Sequence, residues 1–251
     1  MNRVSILDYA LMSADVYHRR NTDDVADRRY RNILGHQRWY RINNIPNEPI
    51  FGGDLYARLF IHEPVGSSPD IAVVAYRGTL LDRLGNLESD FEIAVENQIP
   101  GRFAKAMNFY HRAKNYLKAM YPDRSIPIRL TGHSLGGAYA QLVAIQTANK
   151  AVTFNAPGIG QIQHIGASGK NYDHLILNIN STEGVINKVG KTIGQVRWLN
   201  VPEGEQDLLA AREFPELDGV ATEAIGIYQQ HRIKDIILTL RQDHNLASMR
   251  F

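Results

Sequence analysis

The chain has no cysteine among its 251 residues, which excludes disulfides, zinc–thiolate sites and cysteine nucleophiles outright. It also lacks any long apolar run. The longest buried-looking stretch, Ile71 to Tyr76, falls far short of the roughly 20 residues a membrane-spanning helix needs. Its opening, Met1-Asn2-Arg3-Val4-Ser5-Ile6-Leu7-Asp8, is polar and acidic where a secretory signal places its apolar core. The expectation is a soluble chain made in the cytoplasm, any export using a route without a cleaved signal. An excess of one charge sign is missing too: 28 Lys and Arg stand against 26 Asp and Glu, a net charge of +2. That argues against nucleic acid as the main partner, while presenting no barrier to transient contact with an anionic membrane surface. The one basic cluster, Arg19 to Arg31, is broken by Asp23, Asp24 and Asp27. It reads as a solvated loop or helix end.

What is present is ordinary for a globular protein, 44% hydrophobic and 22% charged residues, in a length that suits one α/β domain over 1–251. Asp8 to His18 carries apolar residues at helical spacing. Arg38 to Ile45 and Asp54 to His62 alternate around Gly52-Gly53 and read as an antiparallel hairpin. Ile71 to Tyr76 suits a central strand covered on both faces. Helices are expected over 86–97 and 101–120, the second with Phe103, Ala106, Met107, Tyr110, Ala113 and Leu117 on one face. From residue 71 onward strands alternate with helices: strands over 126–130, 151–155, 174–180 and 195–201, helices over 135–150, 208–214 and from 225 to 241, then a tail. That alternation predicts a mostly parallel central sheet with helices on both faces, preceded by the hairpin.

The organising stretch is Leu130-Thr131-Gly132-His133-Ser134-Leu135-Gly136-Gly137-Ala138. A serine at a strand-to-helix turn, with glycine two residues away on each side, is the pattern of a strained elbow that pushes a hydroxyl out at the carboxyl edge of a sheet. The Leu135 amide, with the helix dipole behind it, then points where an oxyanion would form. The competing reading, a phosphate-binding loop, lacks the lysine such a loop needs. Thr79, closing the Ile71–Tyr76 strand after Arg77-Gly78, is either a plain turn residue or a second oxyanion donor.

A serine hydroxyl needs a base and an acid to orient it, and on an α/β-hydrolase sheet these follow the serine in the order acid, histidine. Asp173 precedes a strand and so falls at the wrong edge. Asp207 sits near a helix start, where a charge at the helix N-terminus explains it. Glu183 follows a strand and is the favoured acid. His231 reads as a solvated helix residue, and His244, in a late loop, is the favoured base. His133 reads as packing support.

Val73-Val74-Ala75-Tyr76-Arg77-Gly78-Thr79, Asn86 with Asp90, Gly132 to Ala138, and Val152-Thr153-Phe154-Asn155-Ala156-Pro157 together resemble the class 3 (fungal-type) lipase family, in its bacterial phospholipase-like branch. The first helix, Tyr9-Ala10-Leu11 to Val16-Tyr17, is similar as well. The resemblance implies the α/β-hydrolase fold, Ser134 as nucleophile, Thr79 and Leu135 as the oxyanion pair, and His244 as base, since Asp243-His244 with Met249 is similar to the family's last histidine motif. The family has aspartate before valine where this chain has Glu183-Gly184-Val185. The implied activity is hydrolysis of lipid carboxylic esters, of lipase or phospholipase A type, through an acyl-enzyme, with no metal and no organic cofactor. Leu80-Leu81-Asp82-Arg83-Leu84 is either a short amphipathic lid or a plain loop. The alternatives are a small-ester esterase, an acyltransferase, or a non-catalytic binding protein on a hydrolase scaffold. Acyl position, head group and oligomeric state are not legible.

Overall fold

The computed structural model describes residues 4–17, 25–45, 49–50, 53–54, 56–78, 87–162, 170–182, 186–201 and 224–251. For 25–29, 49–50, 53–54, 87–102, 186 and 224–232 it describes the backbone alone. Its centre is a seven-stranded sheet of β1 (Trp39–Ile42), β4 (Ala57–His62), β5 (Ile71–Tyr76), β6 (Ile128–His133), β7 (Ala151–Phe154), β8 (Ile176–Ser181) and β9 (Gln195–Leu199), in that spatial order. A two-residue pair, β2 (Pro49–Ile50) with β3 (Gly53–Asp54), lies between β1 and β4 in the chain. β1 and β4 pair antiparallel, β4 pairs antiparallel with β5, and every pairing from β5 to β9 is parallel. The expected hairpin and parallel sheet are therefore both present, and the fold is that of an α/β hydrolase.

β5, with all six residues buried, behaves as its unbroken apolar sequence requires, since both faces are covered. One face carries α3 (Leu87–Met120) and α4 (Leu135–Thr147), packed through Ala106, Phe109, Ala113, Leu117, Ala138, Leu142 and Val143. The other carries α1 (Ile6–Asp15), α2 (Val25–His36) and α5 (Ala224–Gln242), which share a core of Tyr9, Met12, Tyr30, Leu34, Ile233, Ile236, Ile237 and Leu240 with Val73, Phe154 and Ile179 of the sheet.

Local chemistry sets the start of α1. Ser5 and Asp8 form a reciprocal capping box, at 3.0 Å from the Asp8 amide to Ser5 Oγ and 2.9 Å from the Ser5 amide to Asp8 Oδ2. The box satisfies two backbone donors that a helix start leaves unpaired. The helix then runs along β6: Thr131 Oγ1 donates to the Tyr9 carbonyl, Ser13 Oγ lies 2.9 Å from Thr131 Oγ1, and Tyr17 reaches His133. At its far end buried Asp15 is paired with Arg58 of β4 and, at 3.5 Å, with Arg41 of β1. α1 thus points its carboxyl end at the carboxyl edge of the sheet.

Three elements differ from expectation. Val25–His36 is a full helix where only a solvated loop or helix end was expected through Arg31; Tyr30 and Leu34, four apart, give it an apolar stripe under the charges. The helices expected over 86–97 and 101–120 are one, Leu87–Met120, which passes through Pro100 with the loss of the one bond that proline cannot donate. The expected tail holds a short helix, α6 (His244–Ser248), capped by the Asp243 side chain. The helix expected over 208–214 and the segment 80–84 lie outside the described residues. No helix among the described residues is long and apolar enough to cross a membrane.

Candidate active site

Ser134 stands between the last residue of β6 and the first of α4 with φ 57° and ψ −135°. A non-glycine residue held there stores about 1–3 kcal/mol of backbone strain, and the surroundings leave it no alternative. The Ser134 amide donates to the Phe154 carbonyl of β7 at 3.0 Å, and the Ser134 carbonyl accepts from the Gly137 amide at 2.8 Å. The glycines explain themselves by contact. A Cβ on Gly132 would stand 2.3 Å from the Gly136 carbonyl oxygen, and one on Gly136 would stand 2.1 Å from the Tyr76 carbonyl oxygen of β5. Gly137 lets α4 approach β7, where a Cβ would come within 2.5 Å of Ala156 Cβ. Helix and strand ends are in backbone contact here, and only glycine permits it.

The result is a serine hydroxyl aimed by its backbone rather than by its neighbours. Ser134 is fully buried, and its Oγ has no hydrogen-bond partner among the described residues. A buried hydroxyl left without a partner costs stability. The amide of Leu135, first residue of a 13-residue helix, has no carbonyl within its own helix to bond. It therefore offers a donor, reinforced by the helix dipole, beside that hydroxyl.

Around the serine lie two arrangements that the sequence reading had not singled out. Tyr17 Oη sits 3.0 Å from His133 Nδ1, so His133 is more than packing support. Desolvation on burial holds the Tyr17 phenol well above its ordinary pKa, so it stays protonated. The second is Asn155, in left-handed backbone at φ 43° just past β7. Its Oδ1 accepts from the Ser181 amide (2.7 Å), Ser181 Oγ (3.1 Å) and Asn187 Nδ2 (3.0 Å). The signal was available in both cases. A tyrosine one turn past Ser13 continues the helix face that meets β6, and asparagine is the residue most tolerant of left-handed backbone after glycine.

Of the five residues selected from sequence, Ser134 and Leu135 are together at the elbow. Thr79 and Glu183 lie outside the described residues, although their neighbours Gly78, Ser181 and Asn187 are at the carboxyl edge. A Cβ on Gly78 would come within 3.3 Å of Ser134 Cβ.

His244, the base selected from sequence, begins the short helix α6 (His244–Ser248) rather than lying in a loop. It is exposed, in a shallow depression with Thr239, Gln242, Asp243 and Asn245. Its helix leads directly to Met249, whose carbonyl accepts from the Ile6 amide, and to Arg250, which bridges Ser5. Phe251 lies under the Lys150 ammonium, 4.8 Å from its ring centre, immediately before β7. All of these mark the amino edge, separated from Ser134 by the length of β6, about 20 Å for six residues. α5 packs on α1, and α6 after it also contacts α1 and leads to that edge.

Comparison with known proteins agrees with this architecture. The family model of the phospholipase-like "Tle-like phospholipase domain" matches residues 8–178. Among solved structures, the lipase from Rhizopus microsporus var. chinensis superposes with a TM-score of 0.54 at 15% identity, over 76% of this chain and 72% of that one. M37 lipase does so with a TM-score of 0.50 at 14% identity, over 95% of this chain and 81% of that one. No curated protein sequence matches. The elbow, the parallel sheet and the family match over more than half of the chain lead to one assignment: this protein belongs to the Tle-like phospholipase domain family, and is a lipid ester hydrolase at that family level.

Proposed function

We propose that the protein cleaves a carboxylic ester of a lipid through an acyl-enzyme on Ser134, with a histidine base, Glu183 as the acid, and the amides of Leu135 and Thr79 as oxyanion donors. The observation that carries this reading is Ser134 itself: a strained, buried serine whose hydroxyl has no partner among the described residues, fixed at the start of a helix whose first amide has no carbonyl to bond within that helix.

For the base we propose His231. The order serine, acid, histidine leaves His231 and His244 as candidates after Glu183, and α5 runs from the serine's edge of the sheet to the opposite one. His231, eleven residues before the end of that helix at Gln242, lies towards its beginning, on the side of Ser134. The imidazole takes the serine proton as Oγ attacks the acyl carbonyl and returns it to the departing alcohol; water then repeats the sequence and releases the acid. Each oxyanion donor lowers the barrier by about 3 kcal/mol in sites of this kind. Support for Glu183 comes from its flanks: Ser181 and Asn187 are both bound to Asn155 Oδ1, and Asn187 Nδ2 also donates to the Ser181 carbonyl at 2.8 Å. The ends of the Glu183 loop are thereby held beside β7, the strand next to the elbow.

A fluorophosphonate probe tests the chemistry. Labelling of wild type that disappears in Ser134→Ala, together with fatty acid release from a panel of glycerides and phospholipids, is the expected result. An unlabelled, correctly folded wild type would mean a binding protein on a hydrolase scaffold.

A further inference from the structure

One oxygen atom touches the residue before the nucleophile and the residue before the second oxyanion donor. Tyr17 Oη lies 3.0 Å from His133 Nδ1 and donates, at 3.4 Å, towards the His133 carbonyl. The same oxygen is packed against Gly78, where a Cβ would meet it at 2.7 Å. His133 precedes Ser134 and Gly78 precedes Thr79. The ring is buried and meets the His133 ring edge-on, with centroids 5.8 Å apart at 68°.

We infer that Tyr17 is a positioning residue, whose hydroxyl sets the gap between the end of β5 and the elbow and hence the distance from the oxyanion donors to the serine. The inference rests on the reading of Ser134 as the nucleophile. Docking of α1 is not what the hydroxyl is for. The helix is already fixed by its capping box, by the Ser13–Thr131 contact and by the buried Asp15–Arg58 pair, and a phenylalanine would fill the same volume. What phenylalanine lacks is the oxygen that lies between Gly78, two residues past β5, and His133, the last residue of β6. Gly78 would lose the oxygen packed against it and His133 Nδ1 its hydrogen-bond partner, and each strand end would relax independently. Oxyanion stabilisation depends on donor position at the scale of tenths of an ångström, and displacements near 1 Å lower rates by about 100-fold.

The test is Tyr17→Phe, with rates expressed per fluorophosphonate-titrated serine so that folding yield does not enter. The expected result is a kcat lowered about 10- to 100-fold with KM within about twofold. Inhibition by a trifluoromethyl ketone, which mimics the tetrahedral state, should weaken by the same factor as kcat. An unchanged kcat per titrated site, or a loss confined to KM, overturns the inference and leaves Tyr17 a structural residue. Should Tyr17→Phe yield no folded protein, His133→Gln, which keeps the phenol and removes Nδ1, is read by the same criteria. Failure of the underlying reading is separately visible: it would appear as hydrolysis that survives Ser134→Ala, whatever Tyr17→Phe does.

Discussion

Gly136→Ala is the substitution that most directly tests whether the elbow depends on backbone contact. The new methyl would lie 2.1 Å from the Tyr76 carbonyl oxygen and 2.8 Å from the Gly78 nitrogen. Both are main-chain atoms of a buried strand end, so no side chain can rotate away. Relief requires the first turn of α4 to lift from β5 by about 1 Å, because ordinary carbon–oxygen contacts begin beyond 3 Å. Overpacking of this kind costs about 1–3 kcal/mol, and with backbone on both sides the upper end applies. For a chain of this size about 3 kcal/mol lowers Tm by roughly 6–12 °C. The same lift carries the Leu135 amide and Ser134 away from the strand end, so activity should fall about 100-fold in the protein that still folds. Circular dichroism melting and the fluorophosphonate labelling rate measure the two effects. A Gly136→Ala protein with Tm within about 2 °C of wild type and an unchanged labelling rate would refute the contact argument, and with it the claim that the glycines are there to permit the serine's geometry.

Gly35→Ala is the matched opposite. Gly35 lies in α2 with nothing within 4 Å of a new methyl, so stability should rise by about 0.5–1 kcal/mol in a denaturant titration. Burial of Tyr9, Tyr17 and Tyr76 raises all three phenols above their ordinary value of about 10. The unfolded chain therefore releases protons above pH 10 that the folded one retains, so stability is level below pH 10 and falls above it by up to about 4 kcal/mol per pH unit. Urea unfolding between pH 9 and 11 checks this, and a flat profile would count against it. The two histidines are separated by paired variants: His231→Asn should lower kcat by about 10,000-fold, on the scale of losing a triad member, while His244→Asn should leave ester hydrolysis within about twofold. The reverse pattern would restore His244 as base and require α5 to be redirected.

The sequence conveyed most where backbone and packing rules are strict. Ile71–Tyr76 could be read as a buried parallel strand to the residue, because six consecutive apolar residues admit little else at that length. The elbow was legible because Gly132 and Gly136 have a steric reason to be glycine that is local in sequence. Where several outcomes cost nearly the same, the text was ambiguous. Val25–His36 looks like a charged loop because only Tyr30 and Leu34 reveal its buried side, and Pro100 looks like a helix end although one missing bond is affordable within a 34-residue helix. Tyr17 and Asn155 carry only a faint local signal, the helix face and the tolerance of left-handed backbone, because the partners each binds are more than 25 positions away.

The histidine shows what kind of information a pattern omits. Ile233, Ile236, Ile237 and Leu240 reveal a helix and its buried face, but amphipathicity is the same whichever way the helix points. Direction matters because twelve helical residues move the chain about 18 Å, most of the depth of the sheet, so His231 and His244 cannot both be near Ser134. Chain order alone gave no means of choosing between them. The deciding fact lies at the other end of the molecule. The capping box fixes where α1 begins, the Ile6 amide bonds to Met249 there, and that places the last residues of the chain at the amino edge. A contact some 240 residues apart in sequence thus favours His231 over His244 in the proposal.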